Sequence, residues 1–200
     1  MPELVDSLAN LTALRDRDAL DVALVSTIRD LLQPESAAIY RCVGNAGDER
    51  WLTCAHLTAE NLPPRRDSEW VRVETLPTLA EHPARQQAIL SQKVCQSTQE
   101  EPFFTVFPLT AALEAPHVLE VGSREVLAKE SRRLVVGILR LYHNFQGLLD
   151  YGERDSLTEL LNRKTFDGTF MKVPSNWSGL STATTVADVR QTNRECAGWR

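Results

Sequence analysis

The sequence predicts an α+β protein: an antiparallel sheet with flanking helices, then a long C-terminal helix and a short further segment. Three observations carry this. The first 123 residues alternate between stretches of helical period and short β-rich runs bounded by turn residues. Residues 124 to 151 then hold no proline and place Leu127, Leu134, Leu141 and Leu148 seven apart. At 200 residues the chain has room for one ordinary domain and something smaller. The expected units are residues 1–123, 124–152 and 153–200.

Taken in order, Leu4, Leu8, Leu11, Leu14, Val22, Val25, Ile28 and Leu32 mark an amphipathic helix or helix pair over residues 3 to 32. Pro34 stops it. Ser36 to Val43 and Arg50 to Leu57 are short β-prone runs on either side of the turn-rich Gly44 to Glu49, and so predict a β-hairpin. Residues 58 to 78 carry Pro63, Pro64 and Pro77 and are expected to be mainly loop, with a candidate strand at Trp70 to Val73. A short helix is expected near Leu79 to Ser91 and a weak strand at Lys93 to Gln96. Phe103 to Leu109 and His117 to Val121 are better strand candidates and form the expected centre of the sheet.

This order of elements over residues 1 to 123 resembles a GAF-type sensor domain. The resemblance implies a concavity for a small-molecule effector, with Trp51, Trp70, Phe103 and Phe107 as its aromatic lining. Cys54 and His56, close together on the hairpin, are candidates to face the same pocket, where His56 is a candidate ligand for haem or another effector. The bland alternative for these aromatics is ordinary core packing.

The long helix has two readings. At 1.5 Å per residue it reaches about 40 Å, longer than a compact domain of this size needs. It either lies along its own sheet or forms a parallel dimeric coiled coil over its second half. With the leucines at d, Ile138 and Phe145 fall at a. The expected seam is therefore Leu127, Leu134, Ile138, Leu141, Phe145 and Leu148, giving a homodimer. Ser131 at a and the small Gly137 make the seam imperfect.

Directly after this helix comes DSLTELLNRKTF. Asp155, Leu157, Thr158, Leu160, Asn162, Arg163 and Phe166 match the pattern D-x-L-T-x-L-x-N-R-x-x-F. The stretch resembles the entry segment of a GGDEF (diguanylate cyclase) domain. Read by residue type alone, Ser156 and Glu159 fit a capping box and Asn162 a second helix cap. Leu157, Leu160 and Phe166 would anchor the turn to a following domain. Glu159 stands where the family commonly has glycine, so a capping-box turn is expected in place of the usual loop.

The resemblance implies a catalytic body downstream that uses GTP and Mg and makes cyclic di-GMP. Its signature loop, metal-binding aspartates and nucleotide contacts have no counterpart here, so no catalytic residue is assigned. The chain is expected to be the regulatory sensor and dimerisation portion of such a protein. The alternatives are a ligand-binding or dimerisation module whose GGDEF output is degenerate or absent, and a purely structural dimerisation domain.

Composition narrows the remaining classes. A hydrophobic fraction of 42% and a charged fraction of 24% suit a globular protein. A net charge of -5, with no dense run of Lys and Arg, argues against nucleic acid as a partner. The N-terminus has acidic residues and no apolar h-region, and no run of 18 apolar residues exists, so a cytoplasmic location away from membranes is expected. Cys42, Cys54, Cys95 and Cys196 form no CxxC pair, and His56, His82, His117 and His143 are scattered. No metal site is expected, nor any cofactor within the chain. No nucleophile triad or phosphate-binding glycine loop is legible either.

Overall fold

The computed structural model describes residues 14, 16–58, 63–68, 70–97, 102–109 and 115–153. The segment Asp155 to Phe166, which carries the entry motif, lies outside the described residues.

The first helix, α1 (Arg17–Leu32), starts where Asp16, in extended backbone, accepts from the amides of Asp18 at 2.9 Å and Ala19 at 3.5 Å. It ends at Gln33, whose backbone is left-handed (φ 46°) and whose amide returns to the Arg29 carbonyl at 2.8 Å. Pro34 then prevents continuation. Leu20, Leu24, Val25 and Ile28 share its buried face. Complete burial of such side chains contributes about 1.5–3 kcal/mol apiece.

Strands β1 (Ser36–Val43) and β2 (Arg50–Thr58) form the expected hairpin. Gly44 turns the chain at φ 106°, and a Cβ there would lie 2.7 Å from the Asp48 carbonyl oxygen. Ile39 pairs with Ala55 but Tyr40 pairs with Thr53, which leaves Cys54 as the extra residue of a β-bulge. Strands β3 (Cys95–Ser97), β4 (Phe103–Leu109) and β5 (His117–Ser123) complete a five-stranded antiparallel sheet in the order β2-β1-β5-β4-β3. The central strand β5 is buried from His117 to Gly122, so both of its faces are covered.

The candidate strand at Trp70 to Val73 is not one. Trp70 sits in a turn at 58% exposure and a 3-10 turn follows at Val73–Thr75. Aromatic and β-branched side chains gave the segment its strand character, but it has no sheet face to lie on. Instead Arg65, Asp67, Pro77 and Thr78 lie along the outer edge of β2. His56 and Arg65 exchange backbone hydrogen bonds at 2.7 and 2.8 Å, Asp67 Oδ2 accepts from the Thr53 amide at 2.7 Å, and the Trp51 amide donates to the Pro77 carbonyl at 2.8 Å. This coverage satisfies an edge that would otherwise be a template for aggregation.

The helix expected near Leu79 to Ser91 is split into a 3-10 turn, Leu79–Glu81, and α2 (Pro83–Ser91). Pro83 explains the break, because proline suits a first helical turn and lacks the amide needed further in. The final helix, α3 (Lys129–Glu153), is 25 residues long. Helices α1 and α3 cover one face of the sheet and α2 covers the other. No described helix is long and apolar enough to cross a membrane.

Candidate functional site

On the α2 face, strand alternation brings Ala38 and Tyr40 of β1, Trp51 and His56 of β2, and Val118 and Glu120 of β5 to one side. Helix α2 lowers Arg85 onto this layer. Arg85 and Glu120 form a bidentate pair, Nε to Oε2 at 2.7 Å and Nη2 to Oε1 at 2.8 Å, with side chains only 7% and 11% exposed. The guanidinium also stacks on the Tyr40 ring at 3.5 Å and lies 6.0 Å from the Trp51 ring.

Two histidines border the pair. Burial lowers the pKa of both His56 and His82, with Glu120 pulling each upward and Arg85 pushing each downward. Burial raises the Tyr40 phenol, opposed by Arg85. The Trp51 indole N–H is buried with no hydrogen-bond partner among the described residues. A paired charge, an aromatic wall and an unspent donor thus meet under α2. Any ligand that separated the pair would need to supply a partner to each half, since a stranded buried charge costs several kcal/mol.

The opposite face holds a second polar group inside an apolar layer. Tyr142 of α3 donates its hydroxyl to Asp21 of α1, and the Gln146 amide donates to the Tyr142 oxygen at 3.0 Å. Arg41 of β1 lies 3.7 Å from the other Asp21 oxygen. Burial raises the pKa of Asp21, while the Tyr142 hydrogen bond and Arg41 draw it down. Burial, then the nearby Asp21 charge, pushes Tyr142 well above the usual phenol range. His117 of β5 is held at about 4, chiefly by burial; the Ala115 carbonyl, 2.5 Å from Nδ1, and the Gln146 side chain act against that shift. Burial lifts the Cys54 thiol to about 12 despite neighbouring Arg41, which makes it a poor nucleophile.

The six expected pocket residues do not converge. Trp51 and His56 share the α2 face, whereas Phe107 is fully buried in the α1/α3 core and Cys54 packs against that same core. Phe103 is half-buried at the head of β4, and Trp70 projects from the edge loop. Shallow grooves of about 530 Å³, at the entry to α3 beside Gln33 and Val126, and about 360 Å³, between β4 and α3 beside Val94 and His143, lie on the α1/α3 side. Among the described residues no group of three or more His, Cys, Asp or Glu is placed to hold a metal.

The expected dimer seam divides. Leu127 precedes α3 and is buried, and Ile138 belongs to the domain's own core, so both are spent within one chain. Phe145 is half-buried against that core. Leu134, Leu141 and Leu148 face outward at 36%, 40% and 64% exposure. In a straight helix each heptad step drifts by about 20°, so these three form one gently slanting stripe beside the buried arc. Gly137 has open space where a side chain would stand.

No protein-family model and no curated protein matches the sequence. The structure is similar to the GAF domain of Acinetobacter phosphoenolpyruvate-protein phosphotransferase (TM-score 0.54, 11% identity, covering 74% of this chain and 92% of that one). It is similar also to the GAF-B domain of DevS from Mycobacterium smegmatis (0.52, 14%, covering 68% and 97%). A third likeness is to the phycocyanobilin-bound GAF domain of a cyanobacterial phytochrome (0.52, 12%, covering 76% and 98%). The likeness at these identities is one of fold, and the chain has a GAF-like fold.

Proposed function

We propose that this chain is the sensing and dimerising part of a signalling protein, in which the GAF-like domain reads a small molecule and α3 passes its state to an output domain. The observation that carries this reading is the division of α3 into two adjacent stripes. Val135, Ile138, Leu139, Tyr142 and Leu149 are buried in the domain, while Leu134, Leu141 and Leu148 stand outside it on the heptad spacing of a dimeric coiled coil. One helix is thereby held to the sensor along one side and carries a second, exposed leucine stripe next to it.

In its finer form the reading makes the output a diguanylate cyclase body. Support comes from the sequence Asp155, Leu157, Thr158, Leu160, Asn162, Arg163 and Phe166, which follows α3 directly. Two GTP-loaded sites must meet for one 3′-hydroxyl to attack the other nucleotide's α-phosphate, with metal ions stabilising the charge. A dimerising helix upstream supplies that encounter. The candidate effector site lies under α2 between Trp51, His56 and the Arg85–Glu120 pair, and the effector's identity is open.

The test is a fusion of residues 1–166 to the catalytic body of an active diguanylate cyclase. The fusion should make cyclic di-GMP, and Leu141→Asp with Leu148→Asp should abolish production while the circular dichroism of the sensor stays unchanged. Undiminished production by the double variant would overturn the reading.

A further inference from the structure

We infer that the buried group Asp21, Arg41, Tyr142 and Gln146 is a register pin, which fixes the rotation of the second half of α3 and so decides whether its leucine stripe faces outward. The inference rests on the proposed role of that stripe, but the pin itself stands on intramolecular geometry.

Among the described residues, the other buried side chains of this half of α3, Ile138, Leu139 and Leu149, are aliphatic. Aliphatic contacts tolerate sliding or rotation at modest cost, because one branched side chain fills another's place with little loss. A buried polar group does not, since leaving it unpaired carries its full desolvation penalty. Tyr142 and Gln146, at 1% and 3% exposure, are one helical turn apart on the same face, and the Gln146 amide caps the hydroxyl that Tyr142 gives to Asp21. Arg41 of β1 faces the other Asp21 oxygen at 3.7 Å, a charge contact rather than a hydrogen bond, so the directional tie is the one from Tyr142.

Successive residues on an α-helix are about 100° apart. With Tyr142 turned in toward Asp21, Leu141 is therefore turned aside, and Leu148 follows it two turns on. A second polar tie lies upstream, where Arg132 Nη1 donates to Gln96 Oε1 of β3 at 3.0 Å. The two ties stand ten residues apart, about 15 Å along the axis. Loss of the Tyr142 tie should therefore free the helix beyond Ile138 and leave its first two turns in place. The pin also joins α1, β1 and α3, so a shift of the sheet relative to α1 would move Asp21 and be felt at the stripe.

The experiment is amide hydrogen exchange on the full chain for Tyr142→Phe, Asp21→Ala, Asp21→Asn and, as a control of pure packing loss, Leu139→Ala. Tyr142→Phe should accelerate exchange roughly tenfold or more across 142–149, the scale of a hydrogen bond to a charged group, while β5 and residues 131–136 stay protected. Asp21→Ala should reproduce this. Asp21→Asn, which keeps an oxygen to accept from Tyr142, should retain protection. Leu139→Ala should raise exchange in α3 and the sheet together. Equal, global acceleration in Tyr142→Phe and Leu139→Ala, or loss of protection in Asp21→Asn, would overturn the pin. Running the set also in the Leu141→Asp, Leu148→Asp background separates the two ideas: a pin effect that persists there holds even if no dimer forms.

Discussion

Replacing Arg85 by methionine, which keeps the length of the apolar stem and removes the charge, strands the Glu120 carboxylate under α2. With side chains 7% and 11% exposed, the pair is deep enough that water cannot compensate. Removing one partner of such a buried pair costs about 3–5 kcal/mol. Loss of the stacking on Tyr40 adds roughly 0.5–2 kcal/mol, part of which methionine returns by packing on the same ring. The net expectation is a loss near 4 kcal/mol, a large share of the roughly 5–15 kcal/mol that holds a domain of this kind together. Glu120→Met alone should cost a similar amount, leaving the guanidinium unpaired. The double variant Arg85→Met, Glu120→Met should recover most of it, because two apolar side chains of comparable volume replace a pair whose own desolvation was costly. Urea unfolding followed by far-ultraviolet circular dichroism gives all four corners of the cycle, read as midpoints at constant slope. Single losses below 1 kcal/mol that add in the double variant would refute the reasoning, since they would mean that the two groups do not depend on one another.

Acid should weaken the fold through His117. Its folded pKa of about 4 lies below the free value of 6.5, so the unfolded chain binds the extra proton. The stability this represents is complete above 6.5 and is lost as pH falls toward 4, by about 3 kcal/mol over the window. His56 and His82 shift in the same direction and add to the slope, while Asp21, raised above 3.8, acts with the opposite sign. Urea midpoints between pH 7 and pH 4 should fall steeply for the native chain and less steeply for His117→Gln; an unchanged slope would contradict the assignment. Gly122→Ala should cost about 1–3 kcal/mol by overpacking, because its Cβ would stand 2.4 Å from Ser36 Oγ and 3.1 Å from the Phe104 ring. A variant that melts with the native chain would show that β1 and β4 can give way there.

Elements with strong local signals were legible from the sequence: the glycine turn of the hairpin, the β-branched runs of β4 and β5, Pro34 after α1 and the heptads of α3. Side-chain direction was harder, and β2 shows why. Trp51 and His56 are five residues apart and would face opposite sides of a regular strand. The bulge at Cys54 puts both on the α2 face, and no local feature of RWLTCAHL announces that bulge. Phe107 looked like a partner for Trp51 but points to the other core, a matter of register between strands far apart in sequence. Arg85 and Glu120 carry little signal in the sequence, because each reads as an ordinary surface charge until the fold closes α2 over the sheet. The one available hint was Glu120 itself, a lone acid within the apolar run HVLEV. In α3 the seven-residue spacing was visible, but the split between Ile138 inside and Leu141 outside depends on where the sheet lies. Tyr142, at the e position of that heptad, gave no sign that it would meet Asp21, 121 residues earlier.

The central claim is that α3 lies parallel to its own copy along Leu134, Leu141 and Leu148. Cysteine cross-linking tests it most directly, in a background with Cys95 and Cys196 changed to serine. In a parallel, in-register pair the d positions of the two helices face one another. Leu141→Cys and Leu148→Cys should therefore oxidise to covalent dimers, while Arg140→Cys, exposed on another side of the same helix, should stay monomeric on a non-reducing gel. Equal cross-linking at Arg140, or none at Leu141 and Leu148, would contradict the account.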